Sequence, residues 1–204
     1  MDKWEKLPNK KTVEKTISTL KANNIESYYF NTSEEAKKKI FEILPENAEV
    51  MNMTSVTLET MNIANEIQES RKYNSVRKKL MSMDRKTQGR EMQKIGATPD
   101  WTIGSVHAVT EEGQVLIASN TGSQLPAYAY GSSHVIWVVG TQKIVKNIDQ
   151  GIKRVYEHSL PLESERAKKA YGVPGSFVSK ILIVNKEISP GRVVIIFINE
   201  KLGF

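Results

Sequence analysis

The start of the chain alternates between short strand-like runs and amphipathic helical segments, and this alternation constrains the fold more than any other feature. Residues 26–30 are rich in aromatic side chains, residues 32–44 place apolar side chains at helical spacing, and residues 48–53 resemble a second strand ahead of a new helical segment. Strand, helix, strand, helix predicts a parallel sheet, because each helix carries the chain back to the start of the next strand.

Apolar spacing in the second half predicts further elements. Two strand-like runs, 104–110 and 114–118, flank the turn Glu111-Glu112-Gly113 and predict a β-hairpin. The uninterrupted apolar run 134–139 is typical of a central strand covered on both faces. Helices are expected over 10–23, 73–96, 144–156 and 162–171, with a break at Gly89, and the last strands over 180–184 and 192–198.

Length and composition point to one folded domain. The chain has 204 residues, of which 39% are hydrophobic and 25% charged, values typical of globular proteins. We expect a single α/β domain over 1–204 with a mixed, mostly parallel sheet flanked by helices, an added β-hairpin, and the helix at about 10–23 as a decoration. The sequence contains no cysteine, which excludes disulfides, cysteine-ligated iron-sulfur clusters and thiolate zinc sites in this chain.

Neither a secretory signal nor a membrane span is predicted. The N-terminal residues are charged throughout, and the longest apolar run, 193–198, is too short to cross a bilayer. A cytoplasmic location is therefore the expectation.

The net charge of +6 raises the question of nucleic acid. The basic clusters 37–39, 71–72 and 77–79 fall in helical patterns and lack the interleaved aromatic residues on which single strands stack. Nucleic acid is therefore an unlikely partner by this criterion. A basic rim that attracts a small anionic ligand is the functional alternative to simple solvation.

Two loops that follow strands carry the small polar side chains typical of anion sites. The loop Ser119-Asn120-Thr121-Gly122-Ser123-Gln124 lies between a strand and a helix, where backbone N–H groups attract phosphate or carboxylate oxygens. Thr54, Ser55 and Thr57 hold an equivalent place after an earlier strand. Turn formation and helix capping explain the same residues. If the two strands are neighbours, both loops face one crevice at the carboxyl ends of the strands.

Further candidates complete this hypothesis. Lys143, just past the strand containing Trp137, would supply a positive charge, with ordinary solvation as the alternative. Gly104 is counted with the ligand-binding residues because it lies on the run that leads to His107. The candidates for a general base are Glu59, His107 and Glu112.

Short catalytic signatures and metal-ligand spacing are both missing from the sequence. The three histidines lack the spacing of a metal site, and no nucleophile elbow, Walker loop, G-x-G-x-x-G or H-E-x-x-H motif occurs. The sequence thus predicts no metal site and leaves any cofactor unknown.

Five segments, in order, carry a resemblance that covers the chain from about residue 10 to its end. They are Thr54-Ser-Val-Thr-Leu-Glu59, His107-Ala-Val-Thr-Glu-Glu-Gly113, Thr121-Gly122, Val138-Val-Gly-Thr-Gln-Lys-Ile-Val145 and Asn199-Glu-Lys-Leu-Gly-Phe204. Together they resemble the lactate-utilisation (LUD) domain family. The resemblance implies a fold like that of ribose-phosphate isomerases and CoA transferases. It also implies an association with bacterial oxidation of lactate to pyruvate alongside iron-sulfur partner proteins.

The chain departs from the family pattern in three places. Many relatives have a G-G-S-x-T-L-E loop where this chain has Met53-Thr-Ser-Val-Thr-Leu-Glu59, and many have D-G-T-G-N-R where it has Ser119-Asn-Thr-Gly-Ser-Gln124. An acid and an arginine are thereby lost, which implies different ligand chemistry. Some relatives carry a cysteine cluster in the stretch that corresponds to residues 172–180, which has none here.

Three interpretations of function remain open at this point. The first is a LUD-domain protein that binds a small anionic ligand and is connected with hydroxy-acid metabolism. The second is an isomerase- or transferase-like enzyme that acts on a phosphorylated or CoA-linked substrate. The third is a non-catalytic subunit that docks to an iron-sulfur redox partner, and a homo-oligomer is compatible with all three.

Overall fold

The computed structural model describes residues 2–204. Its strands are β1 (Glu26–Phe30), β2 (Glu49–Asn52), β3 (Asn74–Ser75), β4 (Trp101–Gly104), β5 (Ala108–Thr110), β6 (Val115–Ser119), β7 (His134–Gly140), β8 (Ile144–Val145), β9 (Lys180–Val184) and β10 (Val193–Ile198). Its α-helices are α1 (Lys10–Ala22), α2 (Ser33–Ile43), α3 (Val56–Thr60), α4 (Ile63–Glu69), α5 (Val76–Met81), α6 (Arg85–Ala97), α7 (Ile148–Arg154) and α8 (Leu160–Tyr171).

Two sheets organise these elements. The larger has six strands in the order β1-β10-β7-β4-β2-β3, and every neighbouring pair is parallel, as the strand-helix alternation predicts. The smaller sheet has the order β8-β5-β6-β9 and contains the predicted hairpin of β5 and β6. The α/β architecture with a mostly parallel sheet flanked by helices is therefore confirmed, with the difference that the hairpin belongs to a sheet of its own.

The six-stranded sheet is covered on both faces, which explains the uninterrupted apolar run in β7. Trp137 and Val139 of β7 pack in the same core cluster as Leu20 of α1 and the apolar side chains of the smaller sheet. Ile136 and Val138 point the other way, into the cluster formed with α2, α3 and α4. Alternate side chains of a strand face opposite sides of its sheet, so a strand buried on both faces needs apolar residues at every position.

Local capping signals fix several helix boundaries. The hydroxyl of Thr32 accepts from the backbone N–H of Glu35 while the Glu35 carboxylate accepts from that of Thr32, a reciprocal capping box that starts α2. The predicted break at Gly89 is wrong. Helix α6 runs through Gly89, and the break falls before Asp84, whose side chain caps the first turn of α6.

None of the helices formed by the described residues is long and apolar enough to span a membrane.

Candidate functional site

The carboxyl ends of the parallel strands bring distant parts of the chain to one edge of the larger sheet. Because all six strands run the same way, the segments that follow β2, β4, β7 and β10 leave from this edge, where open α/β sheets bind ligands. These segments contribute Thr57, Ser105, Lys143 and Leu202 to a single contact.

Lys143 occupies the centre of this contact. Its side chain is 1% exposed, and its Nζ lies 3.2 Å from Thr57 Oγ1 and 3.0 Å from Ser105 Oγ. Each hydroxyl donates to a backbone carbonyl, Thr57 to Leu202 at 3.2 Å and Ser105 to Val138 at 2.7 Å. Their lone pairs are thereby left to accept from the amine. Among residues 2–204, these two hydroxyls are the hydrogen-bond partners of the amine, and neither carries a negative charge.

A second buried cation lies near Lys143. Arg154 at the end of α7 is fully buried, and its Nη1 donates to the His107 carbonyl at 2.5 Å and to Ser159 Oγ at 3.2 Å. Burial lowers its pKa to about 10, opposed by the carboxylates of Asp2 and Glu5. The guanidinium therefore stays protonated at neutral pH.

The amine of Lys143 is held in its neutral form more readily than an ordinary lysine. Burial lowers its pKa well below the usual 10.5, and the positive charge of Arg154 lowers the pKa further. Both effects disfavour the ammonium, the first by removing water and the second by repulsion. A negative charge beside the amine would reverse the second effect.

His107 completes the basic group. Burial lowers its pKa to about 3, with further contributions from the charges of Lys143 and Arg154. Its Nδ1 accepts from the backbone N–H of Ala118 at 3.1 Å, so the neutral ring carries its proton on Nε2. A ring with this pKa is a weak base at neutral pH. We refer to Lys143, Thr57, Ser105, Arg154 and His107 together as the Lys143 site.

Several polar atoms around the same turn are buried without a hydrogen-bond partner in the described part of the chain. They are Thr141 Oγ1, Gln142 Oε1, Arg154 Nε and Arg154 Nη2. Each such atom costs on the order of 1–3 kcal/mol when left unpaired. Their concentration next to an unpaired lysine indicates a place where a polar molecule would satisfy several groups at once.

Two chain segments close over the Lys143 site. The segment after β10 is held by Gln142, whose Nε2 donates to the carbonyls of Leu202 at 3.0 Å and Gly203 at 3.3 Å. Gly203 has φ +58° and packs so closely that a Cβ there would lie 2.5 Å from Thr57 Oγ1. The turn Lys3–Glu5 packs against the turn Thr141–Lys143 from another side.

The residues of the predicted Thr54-Thr57 cradle separate into different environments. Thr57 points into the Lys143 site, whereas the hydroxyl of Ser55 caps α3 by accepting from Leu58. Thr54 is exposed, and its hydroxyl accepts from the guanidinium of Arg77. Gly104 is in close contact with Tyr128, whose hydroxyl lies 1.8 Å from where a Cβ would be, so no larger residue fits there.

The loop 119–124 lies elsewhere. It follows β6 of the smaller sheet, and β6 pairs with β5 and β9, so β2 and β6 are not neighbours and the condition for one shared crevice is not met. The side chains of the loop also bond to one another. Ser119 accepts from the Gly122 N–H at 2.9 Å and donates to Gln124 at 3.0 Å, and Thr121 donates to Ser123 at 3.1 Å.

The three candidate bases are not brought together. Glu59 is exposed on α3, and Glu112 is exposed in the hairpin turn, where the next residue, Gly113, packs on Thr19 of α1. His107 alone adjoins Lys143. In residues 2–204, no group of three His, Asp or Glu side chains is placed to hold a metal ion.

Sequence reasoning missed Arg154, Gln142 and the role of Ser105. Arg154 lies in an amphipathic helix where a basic side chain is expected to face solvent. Gln142 stands beside Lys143 in an apolar setting, Val138-Val-Gly-Thr-Gln-Lys-Ile-Val145, and two adjacent polar residues between apolar runs are the one signal that could have marked this turn.

Comparisons with known proteins agree with the fold. The sequence profile of the LUD domain family matches residues 13–198. A DUF162 family protein from Deinococcus radiodurans is similar in structure with a TM-score of 0.57 at 10% identity, over 95% of this chain and 99% of that one. Ribose 5-phosphate isomerase from Plasmodium falciparum aligns with a TM-score of 0.35 at 16% identity, over 56% of this chain and 52% of that one, which is too low to support a conclusion about the fold. No curated protein matches the chain.

Proposed function

This chain belongs to the LUD domain family, and we propose that it binds a small anionic ligand of the hydroxy-acid type at the Lys143 site. Family membership supports a protein related to lactate utilisation. The single observation that carries the finer proposal is the buried amine of Lys143, which has two hydroxyl partners and no carboxylate.

The energetics of burial favour an anionic ligand. A buried cation without a counter-ion is costly, and a carboxylate or phosphate oxygen beside it would supply the missing charge. The ligand would also pair with the unsatisfied Nε and Nη2 of Arg154, which lie in the fork geometry that matches a carboxylate. A hydroxyl next to the carboxylate, as in lactate, would find a donor and an acceptor in Thr57 and Ser105.

The Lys143 site is a better-supported position for this ligand than the loop 119–124. The hydroxyl and amide groups of that loop already bond to one another, and Lys180 packs over Gly122. Thr54, Ser55 and Asn120 stay as proposed contacts at the edge of the ligand-binding region, with Thr54 reached through Arg77.

Access to the amine requires a movement. Because Lys143 is 1% exposed, a ligand reaches it only when the segment that supplies Leu202 and Gly203 shifts away from Thr57. Closure of this segment after binding would exclude water and strengthen the ionic contact.

The proposal is tested by thermal denaturation with lactate, pyruvate or inorganic phosphate for the wild type and two lysine variants. Lys143→Met removes the amine, while Lys146→Met removes an exposed amine three residues later and serves as the control. At a ligand concentration one hundred times Kd, binding stabilises by about 2.7 kcal/mol, which raises Tm by roughly 5–10 °C in a chain of this size. We expect this shift for the wild type and Lys146→Met and its loss for Lys143→Met. An equal shift in all three proteins would place the ligand elsewhere.

The same observation favours a second candidate function. A buried lysine with a lowered pKa is a nucleophile toward carbonyl carbon, and its neutral amine would condense with a 2-oxo acid such as pyruvate to an imine with release of water. Treatment with borohydride in the presence of pyruvate would reduce that imine to a stable secondary amine. Mass spectrometry that finds the adduct on Lys143 supports this function, and unmodified Lys143 after the same treatment contradicts it.

A further inference from the structure

A second polar cavity lies beside the end of β2, on the outer side of α3 and α4. Its volume is about 460 Å³, within the range of about 300–1,000 Å³ typical of small-molecule sites. Its lining residues are Asn52, Met53, Thr54, Glu59, Asn62, Ala64, Asn65, Gln68, Glu69 and Arg77. Because side-chain amides dominate this lining, we call it the amide cleft.

Asn52 is the most informative residue of the amide cleft. It is the last residue of β2 and is 3% exposed, yet its Oδ1 has no hydrogen-bond partner among residues 2–204. A buried amide oxygen left unpaired costs on the order of 1–3 kcal/mol. An apolar side chain of the same shape would avoid this cost, so the amide is retained for a reason other than packing.

Other amides and a carboxylate line the same cleft with hydrogen-bonding capacity to spare. Asn62 has φ 55° and makes no capping bond at the start of α4. Gln68 donates to the Ala64 carbonyl at 3.0 Å, which leaves its Oε1 to accept. Asn65 and Glu59 are exposed on the rim. The cleft therefore offers several donors and acceptors within one cavity.

The charges of the amide cleft differ from those of the Lys143 site. Two carboxylates, Glu59 and Glu69, face one guanidinium, Arg77, which is already bonded to Thr54. A cavity with more carboxylates than cations does not favour an anion. Its ligand chemistry is therefore distinct from that of the buried lysine.

We propose that the amide cleft binds a neutral polyhydroxylated molecule of monosaccharide size. Each carboxamide presents a donor and an acceptor side by side, and each carboxylate presents two acceptors, so both side-chain types pair with vicinal hydroxyls. Asn52 at the base would contact one hydroxyl pair, and Asn62, Asn65 and Glu59 would contact the others. This proposal is independent of anion binding at Lys143.

The proposal is tested by NMR titration of the side-chain amide signals with D-ribose, D-glucose and ribitol as probes. We expect saturable shifts of the Asn52 and Asn62 amide signals with at least one probe. Asn52→Leu, close to asparagine in shape, should weaken binding by about tenfold or more, since the contact with a hydroxyl pair is lost. Asn65→Ala on the exposed face of α4 should weaken it without endangering the fold. Asn185→Ala, outside the cleft and exposed, should leave binding unchanged.

Thermal denaturation supplies the second measurement. Asn52→Leu removes a buried unpaired oxygen, so its Tm without probe should equal or exceed that of the wild type, which separates lost binding from lost folding. The proposal is overturned if no probe gives a saturable shift, or if Asn52→Leu and Asn65→Ala bind as the wild type does. It is also overturned if lactate or methylammonium, rather than a polyol, produces the shifts. Lys143→Met should bind the polyol normally, which keeps this test separate from that of the anion site.

Discussion

The Nζ atom of Lys143 lies 3.0 Å from the hydroxyl of Ser105, and that hydroxyl donates to the carbonyl of Val138. The direction of the second bond fixes the first, since a hydroxyl has one proton and that proton is committed to the carbonyl. Ser105 is thus an acceptor for the buried amine, placed by the end of β4 next to β7.

Ser105→Ala should lower the free energy of unfolding by about 1–2 kcal/mol, because it removes an acceptor from a buried amine and a donor from a buried carbonyl. Urea denaturation of a double-mutant cycle with Lys143→Met separates the two losses. We expect Ser105→Ala to cost less in the Lys143→Met background. Strict additivity of the two changes would show that the amine and the hydroxyl do not interact.

The lowered pKa of Lys143 predicts a pH dependence of stability with a definite sign. Between the lowered native pKa and 10.5, the unfolded chain binds more protons than the native chain, so the free energy of unfolding rises as pH rises through this range. Lys143→Met should flatten this rise when urea denaturation is compared at pH 7 and pH 9. Lys146→Met should keep the wild-type slope, and a slope that survives in Lys143→Met would assign the titration to another group.

His107 predicts a second pH dependence at lower pH. Its pKa of about 3 lies below the usual 6.5, so the stabilisation associated with the neutral ring is complete above pH 6.5 and is lost as the pH falls toward 3. The ring is partly exposed, and an effect on the order of 3 kcal/mol is expected. His107→Asn retains an acceptor for the Ala118 N–H but does not titrate. Its unfolding free energy should fall less than that of the wild type between pH 6.5 and pH 4.

Gly203→Ala should loosen the segment that covers Lys143. The added Cβ would lie 2.5 Å from Thr57 Oγ1 at a backbone φ of +58°, so both contact and conformation oppose it. We expect a loss of about 1–3 kcal/mol and faster acetylation of Lys143 by acetic anhydride. Gly172→Ala is the matched control, since Gly172 has φ +66° with nothing within 4 Å. Equal acetylation rates in the two variants would show that steric contact at Gly203 does not govern access.

Binding of an anion at the Lys143 site should be accompanied by proton uptake. The empty site favours the neutral amine, and a bound carboxylate raises its pKa by opposite charge. Calorimetry of lactate binding in phosphate and Tris at pH 8 should give enthalpies that differ by the ionisation enthalpies of the buffers multiplied by the protons taken up. Identical enthalpies in the two buffers would mean that the amine does not change its protonation state.

Elements with a strong local signal could be predicted from the sequence. The apolar run of β7 predicts a strand covered on both faces, and Thr32 with Glu35 predicts the capping box that starts α2. The error at Gly89 has a clear cause. A glycine costs a helix only about 1 kcal/mol, whereas the side chain of Asp84 satisfies backbone groups at the true start of α6.

The candidate site was only partly predictable, because it depends on which strands are neighbours. The prediction that ligand residues lie after strands led to Thr57 and Lys143, which the structure brings within 3.2 Å of each other. It also led to the loop 119–124, which lies on a different sheet. Nothing in the local sequence distinguishes these cases.

The sequence by itself determined the strand-helix alternation, the parallel sheet and the family, since these follow from periodicity and from segments that are contiguous in the chain. Only the tertiary structure decided that Lys143 and Arg154 are buried side by side and that Asn52 lies unpaired at the base of a cleft. The physical reason is that burial and electrostatic environment are set by neighbours far away in sequence. A lysine that looks solvated in its own segment is enclosed here by residues 57, 105 and 202.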